Sequence, residues 1–267
     1  MTATTRGVLY PARLPRLHRL PAPERVSSLV RWFWIPEWDI APGRSSRQHL
    51  VAYPASNLVV EADGVGFSGP TTRRSHRDLG GRGWAVGALL RPAAVPAFAD
   101  DPAGSRDTYR AVEAEDLFAA VTTAMTSSGD GAARHGVAVG VFVAWLVDRV
   151  PSPSEAGLMA NALEETIETD PTVRRVEDAA ERLGVSTRTV QRLAATHVGL
   201  SPAVMIRRRR LQEAAERLRA DPSVPLADLA ADLGYTDHAH LTNEFRQMLG
   251  LTPSGYRHEV SGPEPTR

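Results

Sequence analysis

Apolar positions along this chain change their period from about two to between three and four. From residue 26 to about 95 they come in short runs, at 29–35, 50–53, 57–61, 66–67 and 83–90, separated by turn residues at 62–64 and 80–81. Short apolar runs bounded by Gly, Pro and Asp predict a small antiparallel sheet or barrel, with a hairpin at Asp63 and Gly64. The spacing becomes helical at 117–126, 136–150 and 154–169, with Pro151 and Pro153 dividing the last two and a flexible break expected at 127–131. Val139, Phe142, Val143, Leu146 and Val150 form one apolar stripe, which predicts packing on the sheet or on a second copy of the chain. Residues 1 to about 25 show no clear period and are expected to be a poorly ordered lead-in.

The C-terminal third carries the same helical device twice. Val173, Val176, Ala180 and Leu183 put apolar side chains on one helix face over 171–183, with Pro171 suited to a first turn and Gly184 to a stop. After a tight turn, Ser186 is an expected N-cap for a second helix over 187–196. That helix turns Val190, Leu193, Ala194 and His197 inward and Arg188, Gln191 and Arg192 outward. The pattern returns with Leu226, Leu229, Ala230 and Leu233, a turn at 234–236, and a helix over 237–249 burying Leu241, Phe245, Met248 and Leu249. An offset of 51 pairs Val190 with Leu241, Ala194 with Phe245, and Gly199-Leu-Ser-Pro202 with Gly250-Leu-Thr-Pro253. It also sets Arg188 against Ala239, Gln191 against Thr242 and Arg192 against Asn243, so the two outward faces differ chemically.

A helix, a tight turn and a second helix with outward donors is a helix-turn-helix, whose second helix fits a major groove. Between the two units, residues 201–220 read as one helix of roughly 30 Å, close to the ~34 Å between adjacent major grooves on one side of a duplex. One chain is therefore expected to engage two successive grooves.

Composition changes this picture little. The chain has 267 residues, 42% of them hydrophobic, enough for two compact domains, and a formal net charge of zero. Local placement of charge is what points to DNA: from Leu183 to Gln212 there are six arginines and no acid. The absence of cysteine excludes disulfides, thiolate metal sites and a cysteine nucleophile. No long apolar run or leader stands out, so a cytoplasmic location is expected, with no membrane. No Ser/His/Asp order, phosphate-loop glycine pattern or paired carboxylates anchors an enzymatic reading. His18, His49 and His76 lack clustered metal-ligand spacing, and His238 and His240, two apart on a helix, point in different directions, so no metal and no cofactor is expected. Trp32, Trp34, Trp38 and Trp84 are expected to supply aromatic core more than to line a ligand cavity.

The C-terminal segment resembles the DNA-binding domain of the AraC/XylS family of bacterial transcription regulators. The resemblance rests on Ala180-x3-Gly184-Val-Ser186, Val190-Gln-Arg-Leu193, Gly199-Leu-Ser-Pro202, Arg210-Leu211-x2-Ala214, Ala230-x3-Gly234-Tyr-Thr-Asp237, Leu241-Thr-x-Glu-Phe245-Arg246 and Gly250-Leu-Thr-Pro-x2-Tyr256-Arg257. Two positions depart from the family pattern: Ala194 stands where a bulky aromatic is usual, and Asn243 where an arginine is common. More weakly, Trp32-Phe-Trp34, Pro54-x2-Asn57-Leu, Gly69-Pro-Thr-Thr72 and Gly87-Ala-Leu-Leu-Arg-Pro92 resemble the β-rich N-terminal domain of one branch of these regulators.

The resemblance implies an α+β protein. Its parts are a small antiparallel β-rich domain with a sensing or dimerising role (1–110), a helical connector (111–168), an all-α DNA-binding domain with two helix-turn-helix units joined by a long helix (169–260), and a disordered tail (261–267). The expected DNA-contacting residues are Ser186, Thr187, Arg188, Gln191 and Arg192 in the first unit and Ala239, His240, Thr242, Asn243 and Arg246 in the second, with Arg207 on the long helix. Of the run Arg207–Arg210, which circles the helix, at most two can touch phosphate, and Arg210 is a candidate brace for the fold. The partners this reading admits are double-stranded DNA, RNA polymerase, a small-molecule effector and a homodimeric copy. The alternative is a small-molecule-binding or enzymatic N-terminal domain whose helical part assembles the protein without reading DNA.

Overall fold

The computed structural model describes residues 16–50, 55–72 and 75–261. Strand β1 (Arg16–Pro21) pairs with β2 (Val30–Asp39), so residues 16–21 of the expected disordered lead-in form an edge strand. Residues 1–15 and 262–267, with most of the expected tail, lie outside the described residues, as do 51–54, where most of an expected strand falls.

Further strands are β3 (Ser45–Leu50), β4 (Asn57–Glu61), β5 (Gly64–Ser68), β6 (Ser75–Gly80), β7 (Arg82–Trp84), β8 (Val86–Leu90) and β9 (Tyr109–Val112). The main sheet runs β1-β2-β8-β4-β5-β9, with β7 also paired to β2; β3 and β6 form a separate ribbon, and every pair is antiparallel. The hairpin legible in the sequence joins β4 to β5, with Glu61 opposite Gly64 and Ala62 and Asp63 in the turn.

Two-residue alternation sorts β2 by face. Phe33 and Ile35 point into the core, while Trp32, Trp34 and Trp38 stand half-buried on the opposite face. Trp34 lies flat across Gly87 and Trp38 across Gly83, where any Cβ would overlap the rings. The expectation of aromatic core is therefore corrected for these three; Trp84 alone of the four packs against the main core. Trp32 is flanked by the guanidinium groups of Arg19 and Arg31, and Trp34 donates to Asn57 Oδ1 at 3.0 Å.

Helices α1 (Glu115–Thr126) and α2 (Gly131–Arg149) form a hairpin over the core face of this sheet. The stripe Val139, Phe142, Val143, Leu146 and Val150 joins Phe33, Ile35, Leu58 and Phe67 in one apolar cluster. Helix α3 (Glu155–Thr169) behaves differently: Ala160, Leu163 and Ile167 share a second cluster with α4 (Val176–Leu183) and α5 (Thr187–His197). A third cluster unites α7 (Leu226–Asp232), α8 (His238–Leu249) and Tyr256 of α9 (Pro253–Ser261).

Helix α6 (Pro202–Ala220) belongs to both C-terminal clusters. Met205 and Ile206 enter the second; Leu211, Ala214, Ala215 and Leu218 enter the third. One continuous helix is thus the strut on which both units are built. It was expected over 201–220, and Ser201 proves to be its N-cap.

Helix α4 begins later than the 171–183 expected. The Asp178 carboxylate accepts the backbone N–H groups of Arg174 and Arg175 at 2.9 and 2.8 Å, which caps the helix just before Val176. Asp170 meanwhile holds Thr172 in a turn, so Pro171 precedes the helix by several residues.

Candidate nucleic-acid interface

Each unit places its second helix by the same means. Gly184 and Gly234 turn the chain at φ 65° and 73°, left-handed backbone that favours glycine, and Gly199 and Gly250 end the second helices at φ 81° and 72°. Ser186 caps α5, accepting the Thr189 N–H at 3.1 Å, and Asp237 caps α8, accepting the His240 N–H at 2.7 Å. Inward faces follow the sequence: Val190, Leu193, Ala194 and His197 are buried in the first unit, and Leu241, Phe245 and Leu249 in the second, with Met248 half-buried. Ala194 fills its position with no exposed surface, so the missing aromatic leaves the core closed.

The outward faces carry the expected groups. Arg188, Gln191, Arg192 and Ser186 are exposed and Thr187 is half-exposed on the first; Ala239, His240, Asn243 and Arg246 are exposed and Thr242 is half-exposed on the second. The offset of 51 also sets Ala195 against Arg246. Guanidinium groups thus occupy the first two turns of α5, but only the last turn of α8.

The caps reinforce this difference. A helix N-terminus presents free N–H groups and partial positive charge, a natural phosphate seat. Ser186 leaves that charge in place at α5, whereas the Asp237 carboxylate opposes an incoming phosphate at α8. On α8 itself, Glu244 is held by Arg207 at 2.9 Å and lies 3.5 Å from His240. Arg207, expected as a phosphate contact, is exposed but already engaged as a brace from α6 to α8.

The four consecutive arginines divide among four surroundings. Arg208 is buried, and none of its guanidinium nitrogens has a hydrogen-bond partner among the described residues; burial lowers its pKa to about 10, with Asp107 acting the other way. Arg209 is buried against Glu213 at 3.1 Å and the Val173 carbonyl at 3.0 Å. Arg210 lies 3.9 Å over the Tyr235 ring, in the turn of the second unit, and so braces the fold as its sequence position suggested.

Two further links were not visible in the sequence. Arg174 donates to the Asp232 carbonyl at 3.1 Å and Arg217 pairs with the Asp232 carboxylate at 2.6 Å, tying the start of the first unit and the strut to the turn of the second. Neither pair has a spacing that marks it. The remaining contacts hold the sheet domain against the helices. Asn161 of α3 accepts the Ala93 N–H at 2.9 Å and donates to the Ser28 carbonyl at 2.8 Å. Arg31 pairs with Glu168 and lies 3.8 Å from Glu164. The short 3-10 segment Pro92–Ala97 packs on both α3 and α5.

Two helix-turn-helix units set on one strut, each with a buried apolar side and an exposed polar side, define a double helix-turn-helix protein. Residues 179–259 match a helix-turn-helix domain family (HTH_18), and the chain is similar to the regulatory protein SoxS of Escherichia coli K12, 35% identical over 85 residues covering 32% of this chain and 78% of SoxS. The chain belongs to the AraC/XylS family of transcription regulators.

The chain is also 35% identical to an uncharacterized HTH-type transcriptional regulator of Haemophilus influenzae over 86 residues and 31% identical to the transcriptional activator RhaS of Pectobacterium carotovorum over 86. Each match covers 32% of this chain, and only 28% and 30% of those relatives. Residues 18–107 match a domain of unknown function (DUF6597). Among solved structures the chain is similar to ToxT of Vibrio cholerae, at 9% identity, covering 92% of this chain and 98% of that one with a TM-score of 0.44. Among the described residues no helix is long and apolar enough to cross a membrane.

Proposed function

We propose that this protein regulates transcription by reading two successive major grooves with one chain, α5 in the first and α8 in the second. The observation that carries the reading is the shared strut: α6 contributes to the apolar cores of both units, so each reader is fixed to the same 19-residue helix. Nineteen residues span about 28 Å, which matches the distance between grooves on one duplex face to within a side-chain length.

Within this reading, Arg188 and Arg192 are the bidentate readers of base edges and Gln191 flanks them; Ser186 and Thr187 lie where the helix N-terminus meets phosphate. Ala239, His240, Thr242, Asn243 and Arg246 form the second, weaker face. Arg207 acts first as a brace and only secondarily as a phosphate contact. DNA is the partner, and the site calls for no cofactor.

The sheet domain modulates this reading through its contact with α5. His197, at the end of α5, lies beside the Pro92 carbonyl, and Gly199 approaches the Pro102 carbonyl so closely that a Cβ would clash. A small molecule or a second copy that displaced segment 92–102 would therefore act on the position of α5 directly. Contact with RNA polymerase is part of the same proposal.

Selection of bound sequences from a random duplex pool by the full-length chain tests the reading. Two conserved blocks about 10–10.5 base pairs apart are expected. Absence of any enriched sequence would favour the alternative, in which the helices assemble the protein and the sheet domain binds or transforms a small molecule.

A further inference from the structure

The sequence spacing of histidines suggests no metal, yet the fold gathers three ligand-type side chains from three elements. His18 comes from the edge strand β1, Glu37 from β2 and His135 from the first turns of α2. In the β1–β2 register His18 faces Ile35 and Glu37 lies two residues on, so both side chains stand on the face that Ile35 turns into the core. The ligand atoms all lie within 4.8 Å of one another, and among the described residues no other such cluster of three occurs.

The distances fit a tetrahedral ion. Bonds of about 2.1 Å to nitrogen and oxygen at tetrahedral angles place ligand atoms about 3.4 Å apart. Glu37 Oε2 lies 2.9 Å from His135 Nε2 and 3.9 Å from His18 Nε2, on either side of that value, and the third separation is within 4.8 Å. The two imidazoles already face each other, with ring centroids 4.4 Å apart.

The surroundings supply support for such a centre. Arg134 donates to the other carboxylate oxygen, Glu37 Oε1, at 3.1 Å, which fixes the carboxylate and leaves Oε2 toward the histidines. His135 is almost wholly buried while His18 is 44% exposed, so the cluster is closed on the core side and open on one side toward solvent. That open side is an entry path and leaves room for a fourth ligand such as water.

We propose that His18, Glu37 and His135 bind a divalent transition-metal cation of the zinc class. The ion clamps the edge strand β1 and its neighbour β2 onto the start of α2, away from the DNA-reading helices. Two imidazoles and one carboxylate favour zinc-like cations over magnesium or calcium, which prefer all-oxygen shells.

Full-length protein without a histidine tag, stripped with a chelator and then dialysed against zinc chloride, tests this by metal analysis and thermal melting. About one zinc per chain is expected, with a higher melting temperature on zinc addition than in chelator. Cobalt(II) should give the visible absorption of a tetrahedral site. His18→Ala, at the exposed position, should lower zinc affinity at least about tenfold while melting as the parent does in chelator; Glu37→Gln should act in the same direction. Substoichiometric zinc in the parent chain with no melting shift would leave a plain hydrogen-bonded cluster and overturn the proposal. Equal zinc binding by parent and His18→Ala would overturn the ligand assignment.

Discussion

Arg192 and Asn243 occupy equivalent positions on α5 and α8, and in the proposed reading their chemistry sets what each unit does. A guanidinium makes a bidentate contact to guanine worth about 1–3 kcal/mol of discrimination. Asparagine pairs with adenine, but here it follows an acidic cap and stands on the weaker face. Arg192→Ala is therefore expected to weaken binding to the selected site about tenfold or more in a gel-shift titration, and Asn243→Ala distinctly less. Equal losses would remove the asymmetry between the units. Arg208 tests a different property. Its buried guanidinium, without a hydrogen-bond partner among the described residues and only partly offset by Asp107, opposes folding, and an apolar side chain of similar length relieves that cost. Arg208→Met is expected to raise stability by about 1 kcal/mol in denaturant titration, and a loss of that size would show the charge to be compensated. At this scale the outward donors were legible, because a residue opposite an apolar stripe must face solvent. The fate of Arg207–Arg210 was only partly so: four consecutive arginines circle the helix and look solvated, whereas a strut shared by two cores buries Arg208 and Arg209 and leaves Arg207 exposed. His18, Glu37 and His135 were illegible together, since nothing in one dimension relates positions so far apart on three elements.

Helices were readable wherever local chemistry fixes both ends. Ser186, Ser201 and Asp237 cap α5, α6 and α8, and the ends fall within a residue of those the apolar period implies. Where a side chain several residues inside sets the start, as Asp178 does for α4, the period alone overran. The sheet was legible as short strands but not as an order: β1 and β9 lie at its edges with too few apolar residues to announce themselves. The placement of α3 also depended on tertiary contact, since its apolar face fits equally a connector or the first unit's core. The turn glycines allow a direct comparison. Gly184→Ala puts a Cβ into open space at φ 65°, so only the left-handed backbone is penalised, by about 1–2 kcal/mol. Gly199→Ala carries the same backbone cost and also drives the Pro102 carbonyl away. Denaturant titration should find the second substitution clearly the more destabilising; equal costs would mean the 102 segment yields freely.

Across the whole molecule, the seam between sheet domain and helices carries a titratable group. Burial, then the neighbouring Glu168 charge, push the Glu164 carboxyl up to about 8, against the opposing pull of Arg31 and Arg91. In the folded state it stays protonated where the unfolded chain has ionised, so folding takes up a proton. The stability it contributes is full below pH about 4.5 and is lost as pH rises toward about 8. Melting temperatures of the parent chain should accordingly fall relative to Glu164→Gln between those limits, and parallel profiles would show the carboxyl to be ionised throughout. Helix α3, which carries Glu164, packs in turn on α5 and on the strut that holds both readers. Methylation interference at guanine N7, read on a selected duplex at one chain per site, reports major-groove contact base by base. Two clusters of interference one helical turn apart on the same face, with the stronger lost in Arg192→Ala, is the result expected. A single cluster, or two that appear only when two chains are bound, would contradict the reading of successive grooves by one chain.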